Sequence, residues 1–223
     1  LLEKMNKGQT LNEKEILEKA IFENRIEKIC KSASKNQVPL FIDAEESWIQ
    51  DTIDEIALKM MQKFNKQDVW IYNTIQLYRK NRIDYLKIIL EHAKQNQFKL
   101  GLKLVRGAYY EMENERAKQM NYPSPVHAYK KDTDNDYNKA LTICIENINI
   151  VSVCAGTHNE ESSILLVDLL EKHNKAENRN KLNTTFLIIQ QVTKGGTFAG
   201  SNRFKHMLTG MGHMKFVENG RCI

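Results

Sequence analysis

Over roughly the first 190 residues, apolar positions follow two patterns in turn: a helical spacing of three to four residues, and short unbroken runs closed by polar residues. Thr10-Leu-Asn-Glu13 has the form of a capping box, in which a hydroxyl and a carboxylate satisfy the first free N–H groups of a helix. Ile16, Leu17, Ala20, Ile21, Ile26, Ile29 and Cys30 follow at helical spacing. Val38-Pro-Leu-Phe-Ile42 then reads as a strand buried on both faces, as parallel strands are, and Asp43 ends it. The unit recurs. A helix over about 45–64 precedes the run Val69–Tyr72, which ends at Asn73. A helix through Ile83, Leu86, Ile89 and Leu90 precedes Leu100–Val105, which ends in Arg106-Gly107. A charged helix from Glu111 to Met120, a loop with Pro123 and Pro125, and a helix from Asn135 to Asn147 lead to the run Ile148–Cys154. That run ends in Ala-Gly-Thr157-His158-Asn159, and a helix through Ile164, Leu165, Leu169 and Leu170 leads to a fifth run, Thr185–Ile189.

Strand and helix in alternation predict a parallel α/β architecture. The pattern alone fits an open sheet and a barrel equally well. No Gly-x-Gly-x-x-Gly or phosphate-loop string occurs, which argues against the common nucleotide-binding sheets. Residues 191–223 differ: Gly195, Gly196, Gly200, Gly210, Gly212 and Gly220 punctuate them, and no element reads there.

A hydrophobic content of 41% suits a folded chain, and a net charge of +5, with lysines spread throughout, reads as a solvated surface and not a nucleic-acid footprint. Cys30, Cys144, Cys154 and Cys222 form no Cys-x-x-Cys pair and fit buried thiols in a reducing compartment. His92, His127 and His173 fall in or beside helices without ligand spacing, so no metal is expected. The opening residues show no secretory leader pattern, and no apolar run approaches a membrane span.

Polar residues gather where the apolar runs end: Asp43, Asn73 with Gln76, Arg106, and Thr157-His158-Asn159. In parallel α/β proteins the carboxyl ends of the strands line the active-site face. Helix-start acids explain Glu45 and Glu46 through the helix dipole, whereas Asp43 ends a strand. Lys103-Leu-Val-Arg-Gly-Ala-Tyr109 is less common: two cations closing a buried strand call for an anionic partner, and Gly107 lets backbone approach a ligand. His158 suits a structural role and a ligand-facing one equally.

Four strings, Phe41-Ile-Asp-Ala-Glu-Glu-Ser-Trp-Ile-Gln50, Tyr72-Asn-Thr-Ile-Gln-Leu-Tyr78, Lys103-Leu-Val-Arg-Gly-Ala-Tyr109 and Gly156-Thr-His-Asn159, stand in this order and spacing. Together they resemble single-function proline dehydrogenase, over about residues 1–174. The resemblance implies a partial, distorted (βα)8 barrel over residues 1–190, with 191–223 a divergent tail. It implies FAD as cofactor and oxidation of L-proline to Δ1-pyrroline-5-carboxylate, with hydride passing to flavin N5. Electrons would go on to a quinone through peripheral membrane association, in mitochondria or at a bacterial inner membrane. Carried over by motif, Asp43 meets flavin and proline amine, and Ala44 lies beside the flavin. Gln76 bonds the flavin ring, with Asn73 nearby. Lys103, Val105, Arg106, Gly107 and Ala108 line the cofactor. Leu104 and Tyr109 pack on the proline side, Tyr110 lies near the adenine, and Thr157, His158 and Asn159 meet the rest of FAD.

Some family segments have no counterpart here: the first barrel strand with its lysine, a Gln-Leu-x-Gly-Met strand, and an Arg-Arg-x-x-Glu-Asn helix that holds the proline carboxylate. Two alternatives therefore stand beside the leading reading. One is a non-catalytic α/β fragment; the other is a flavin-free, aldolase-like barrel lyase using Lys103 to form an imine.

Overall fold

A computed structural model describes residues 1–176 and 187–189. Parallel strands need long crossovers, and helices supply them. The order is α1 (Leu2–Asn6), α2 (Glu13–Lys35), β1 (Leu40–Ile42), α3 (Ser47–Phe64), β2 (Ile71–Gln76), α4 (Arg82–Gln95), β3 (Leu100–Val105), α5 (Tyr110–Gln119), α6 (Lys130–Glu146), β4 (Val151–Gly156), α7 (Glu160–Ala176) and β5 (Leu187–Ile189). All strand pairs are parallel, and the five strands lie side by side in chain order. A doubly wound sheet reverses its strand order at a switch point; a barrel wall does not. The described strands therefore form an arc of barrel wall, which decides between the two architectures the sequence pattern allows.

The two faces of this arc differ in chemistry. Ile71 and Ile75, Leu100, Leu102 and Leu104, and Val151, Val153 and Ala155 face the helices and are buried. The opposite positions carry Phe41, Tyr72, Thr74, Gln76, Lys103, Ser152 and Gly156. The Phe41 and Tyr72 rings lie 5.0 Å apart, and the Tyr72 hydroxyl bonds the Ser152 hydroxyl at 2.8 Å. Tyr72 reaches Ser152 by crossing over Gly101, where an added Cβ would sit 2.9 Å from its ring and 2.3 Å from the Ile71 carbonyl oxygen. The apolar runs thus combine a greasy outer face with a polar inner one.

Several local expectations shift. The capping box at the start of α2 is made by Asn12 and Glu15, two residues after Thr10 and Glu13: Glu15 N–H donates to Asn12 Oδ1, and Asn12 N–H donates to Glu15 Oε2, each at 2.9 Å. Asparagine caps as well as a hydroxyl does, so the helix takes the later start. Within α2, Cys30 is buried while Ile16, Leu17, Ile21 and Ile29 are exposed. Strand β2 runs on past Asn73 to Gln76, because Asn73 finds a buried partner behind the sheet. Cys144 and Cys154 are also buried; Cys222 and the glycine-rich 191–223 segment lie outside the described residues. No helix among the described residues is long and apolar enough to cross a membrane.

The turn between α3 and β2 is fastened by one side chain. Asn65 is fully buried; its Nδ2 donates to the Ile71 carbonyl at 2.7 Å, and its Oδ1 accepts from the N–H groups of Trp70 and Ile71 at 3.0 and 2.9 Å. Asn65→Ala would remove all three bonds, two of them to the buried backbone of Ile71. The expected loss is about 3 kcal/mol of unfolding free energy, read from the urea midpoint.

Candidate functional site

At the carboxyl ends of β1 to β4 the inner face opens into a cavity of about 810 Å3, within the range of small-molecule sites. Asp43, Thr74, Gln76, Lys103, Val105 and Gly156 line it from the strands and the end of β1, and Glu45, Arg106, Gly107, Ala108, Lys130, Thr157, His158 and Asn159 from the loops and helices that follow. Alternation along the strands explains the set. Thr74 and Gln76 share the inner face of β2, and Lys103 and Val105 that of β3.

Charge is concentrated on one pair. Lys103 Nζ donates to Asp43 Oδ1 at 2.9 Å, and the Thr74 hydroxyl donates to the same oxygen. Beneath them lies Cys154, paired in register with Lys103; burial pushes its thiol up. Arg106 is engaged by the scaffold. Its Nε donates to Asp134 at 2.6 Å, one terminal nitrogen to Thr157 Oγ1 at 2.7 Å and the other to Ser162 Oγ at 2.9 Å, with the guanidinium 4.3 Å from the centre of the Tyr137 ring. Arg106 thereby ties the end of β3 to α6 and to the β4–α7 turn. Asn159 caps α7, accepting from Ser162 N–H at 2.9 Å, and its own N–H donates to Thr157 Oγ1 at 3.0 Å.

The loop carrying Asp43 is held from a distance. No side chain of its own caps α3; instead buried Glu113 of α5 accepts from Ser47 N–H at 2.6 Å and from the Ser47 hydroxyl at 2.5 Å. The carboxylate meets the positive end of the α3 dipole there. The motifs around Asp43 and Lys103 are thus locked together through the helix that follows the second.

The sequence-derived candidates divide cleanly. Asp43, Gln76, Lys103, Val105, Arg106, Gly107, Ala108, Thr157, His158 and Asn159 are brought together around the cavity. Ala44 joins through its carbonyl, which accepts from Gln76 Nε2 at 2.5 Å. Two candidates are displaced by strand alternation. Asn73 is fully buried behind β2, donating to Asp54, and the Leu104 side chain packs in the outer core. Neither side chain reaches the cavity. Tyr109 and Tyr110 line a separate shallow hollow with Glu46, Glu111 and Met112; the Glu45 carboxylate beside Tyr109 raises its phenol. Glu45, Thr74, Lys130 and Gly156 were missed; Glu45, read in the sequence as a helix-start acid, lies before α3 and lines the cavity. Thr74 was within reach of the sequence, two positions before Gln76 on one strand.

Fold and site together define a barrel-type βα protein with a ligand cavity at the carboxyl ends of its strands. The proline dehydrogenase family model matches residues 2–192, and the chain belongs to that family. Proline dehydrogenase 1, mitochondrial, of Drosophila melanogaster is 34% identical over 158 residues, covering 65% of this chain and 23% of the fly protein. Its namesake in Dictyostelium discoideum is 34% identical over 178 residues, covering 77% of this chain and 31% of the relative. Hydroxyproline dehydrogenase of Xenopus laevis is 32% identical over 142 residues, covering 62% and 30%. The chain thus spans 23% to 31% of the length of these relatives. A crystal structure of proline utilization A from Bdellovibrio bacteriovorus superposes with a TM-score of 0.66 at 21% identity, covering 77% of this chain and 18% of that one. That likeness is one of fold.

Proposed function

We propose that the cavity holds FAD and serves the oxidation of L-proline to Δ1-pyrroline-5-carboxylate. The observation that carries this reading is the cluster on the inner strand ends: a lysine–carboxylate pair beside a glutamine whose Oε1 is buried and, among the described residues, without a partner. A buried acceptor without a donor invites a ligand N–H. Family membership supports the cofactor, since proline dehydrogenases are FAD oxidoreductases.

Bound FAD supplies the two-electron acceptor for the hydride that leaves the ring carbon beside the proline nitrogen. The chain's own residues do the rest. Both Lys103 and Thr74 bond Asp43 through Oδ1, so Oδ2 remains to hold the substrate amine and take its proton. Lys103 places positive charge where charge accumulates on reduction. Gln76 and Ala44 fix the ring edge. The Gly107–Ala108 turn, Lys130 and the Thr157–Asn159 segment at the start of α7 suit a diphosphate, by backbone approach and by positive potential. Tyr110 serves the adenine end and Tyr109 the substrate side of the neighbouring hollow. Electrons then pass to a quinone at a membrane, a mitochondrial one if the chain shares the location in its relatives' names.

The lyase alternative finds less support. The Lys103 amine faces a carboxylate, the opposite of the apolar or cationic surroundings that free a lysine for imine formation.

Anaerobic addition of L-proline to the FAD-loaded chain tests the reaction. Loss of the blue flavin absorbance is expected, and trans-4-hydroxy-L-proline in its place tells the two substrates apart. Bound flavin that neither compound bleaches would refute the oxidation and leave the cofactor site standing.

A further inference from the structure

Behind the cavity wall, a line of buried amides ends on a buried charge, and its far members touch no ligand in the reading above. Asp54 is 4% exposed. Its Oδ1 accepts from the Gln50 amide at 2.9 Å and the Asn73 amide at 2.8 Å, and Arg82 lies 3.1 Å from its Oδ2. An ionised carboxylate can only accept. Gln50 must therefore turn its nitrogen to Asp54 and its oxygen to Gln76. Gln76 Nε2 donates to that oxygen at 3.1 Å and to the Ala44 carbonyl at 2.5 Å. Both of its hydrogens are then used, and Oε1 is the atom left over, buried and without a partner among the described residues. Ala44 sits on the loop between β1 and α3 and can follow the side chain. Gln50 is held by its helix and by Asp54, so it supplies the rigid end.

We propose that Asp54 and Gln50 are positioning residues that set the polarity of the Gln76 carboxamide, so that the cavity offers an acceptor there and selects a ligand with an N–H donor. This rests on the flavin reading, in which the oxidised ring has a single N–H, at N3. Asn73, displaced from the cavity by strand alternation, belongs to this relay. Burial raises the Asp54 carboxyl, and the Arg82 guanidinium is the largest influence opposing it. A charge held in this way carries direction through two neutral amides to the cavity.

The test compares FAD with N3-methyl-FAD, which lacks the donor, by flavin fluorescence titration of the whole chain. The chain is expected to prefer FAD by about tenfold, the effect of leaving one buried acceptor unmet. Gln50→Met keeps the shape and removes both bonds, and the preference should fall to about threefold or less. Asp54→Asn, which can present either atom to Gln50, should lower it likewise. Gln50→Glu, protonated in this position, donates to Asp54 and accepts from Gln76, and should restore the preference. A purely structural role would not separate Met from Glu in this way. An equal preference in the unsubstituted and Gln50→Met chains overturns the relay alone, as does a folded Gln50→Glu chain without preference. Failure of the unsubstituted chain to bind either flavin overturns the flavin reading as well.

Discussion

Gly107→Ala is expected to abolish flavin binding and to lower the unfolding free energy by about 3 kcal/mol. Gly107 has φ +122°, a backbone region that side-chain-bearing residues avoid. An added Cβ would also lie 2.3 to 2.5 Å from three carbons of the Tyr78 ring. Tyr78 cannot move aside. It is buried, its N–H donates to the Arg106 carbonyl at 2.7 Å, and its carbonyl accepts from His127 N–H at 2.7 Å. Relief must come from the Arg106–Ala108 turn, which lines the cavity. Urea unfolding and FAD fluorescence titration read the two consequences separately. A Gly107→Ala chain that binds FAD with unchanged affinity would show that this turn does not meet the cofactor.

Asp43→Asn should have the reverse profile: little effect on folding, and a large one on chemistry. Asparagine can still accept from Lys103 and Thr74 at the same oxygen. Since the Asp43 side chain is 47% exposed, the lost ion pair should change stability by less than about 1 kcal/mol. FAD affinity should stay within a few-fold. The rate at which L-proline bleaches the bound flavin should fall by about 10²- to 10⁴-fold, the usual cost of losing a positioned base. Stopped-flow absorbance gives the rate. An unchanged rate would remove Asp43 from the role assigned to it.

Much of this site could be read from the sequence, because a parallel βα unit puts its chemistry where an apolar run stops. Asp43, Gln76, Lys103 and His158 were found that way, and the structure gathers all four. Which face each strand residue takes was harder to read. Leu104 stands between two cavity residues in the motif, yet alternation turns it to the helices, and Asn73 is turned away by the same rule. The pattern Leu100-x-Leu102-x-Leu104 held that information, obscured by reading the strand as buried on both sides. Other features were out of reach. The cap that Glu113 places on α3 spans 66 residues, and the Gln50–Asp54 pair looks like ordinary helix surface until β2 is packed behind it. Contacts of that range leave no local spacing to recognise. The misread start of α2 came from two good caps lying two residues apart, and α6 begins at Lys130, five residues before the expected Asn135.

The claim on which the rest depends is that the inner strand ends form a flavin site, and the visible spectrum of the purified chain titrated with FAD tests it most directly. Binding should shift and sharpen the flavin bands and quench the fluorescence to saturation at one FAD per chain. Lys103→Met should weaken that binding. A flavin spectrum identical to that of free FAD at every protein concentration, from a folded chain, would contradict the account.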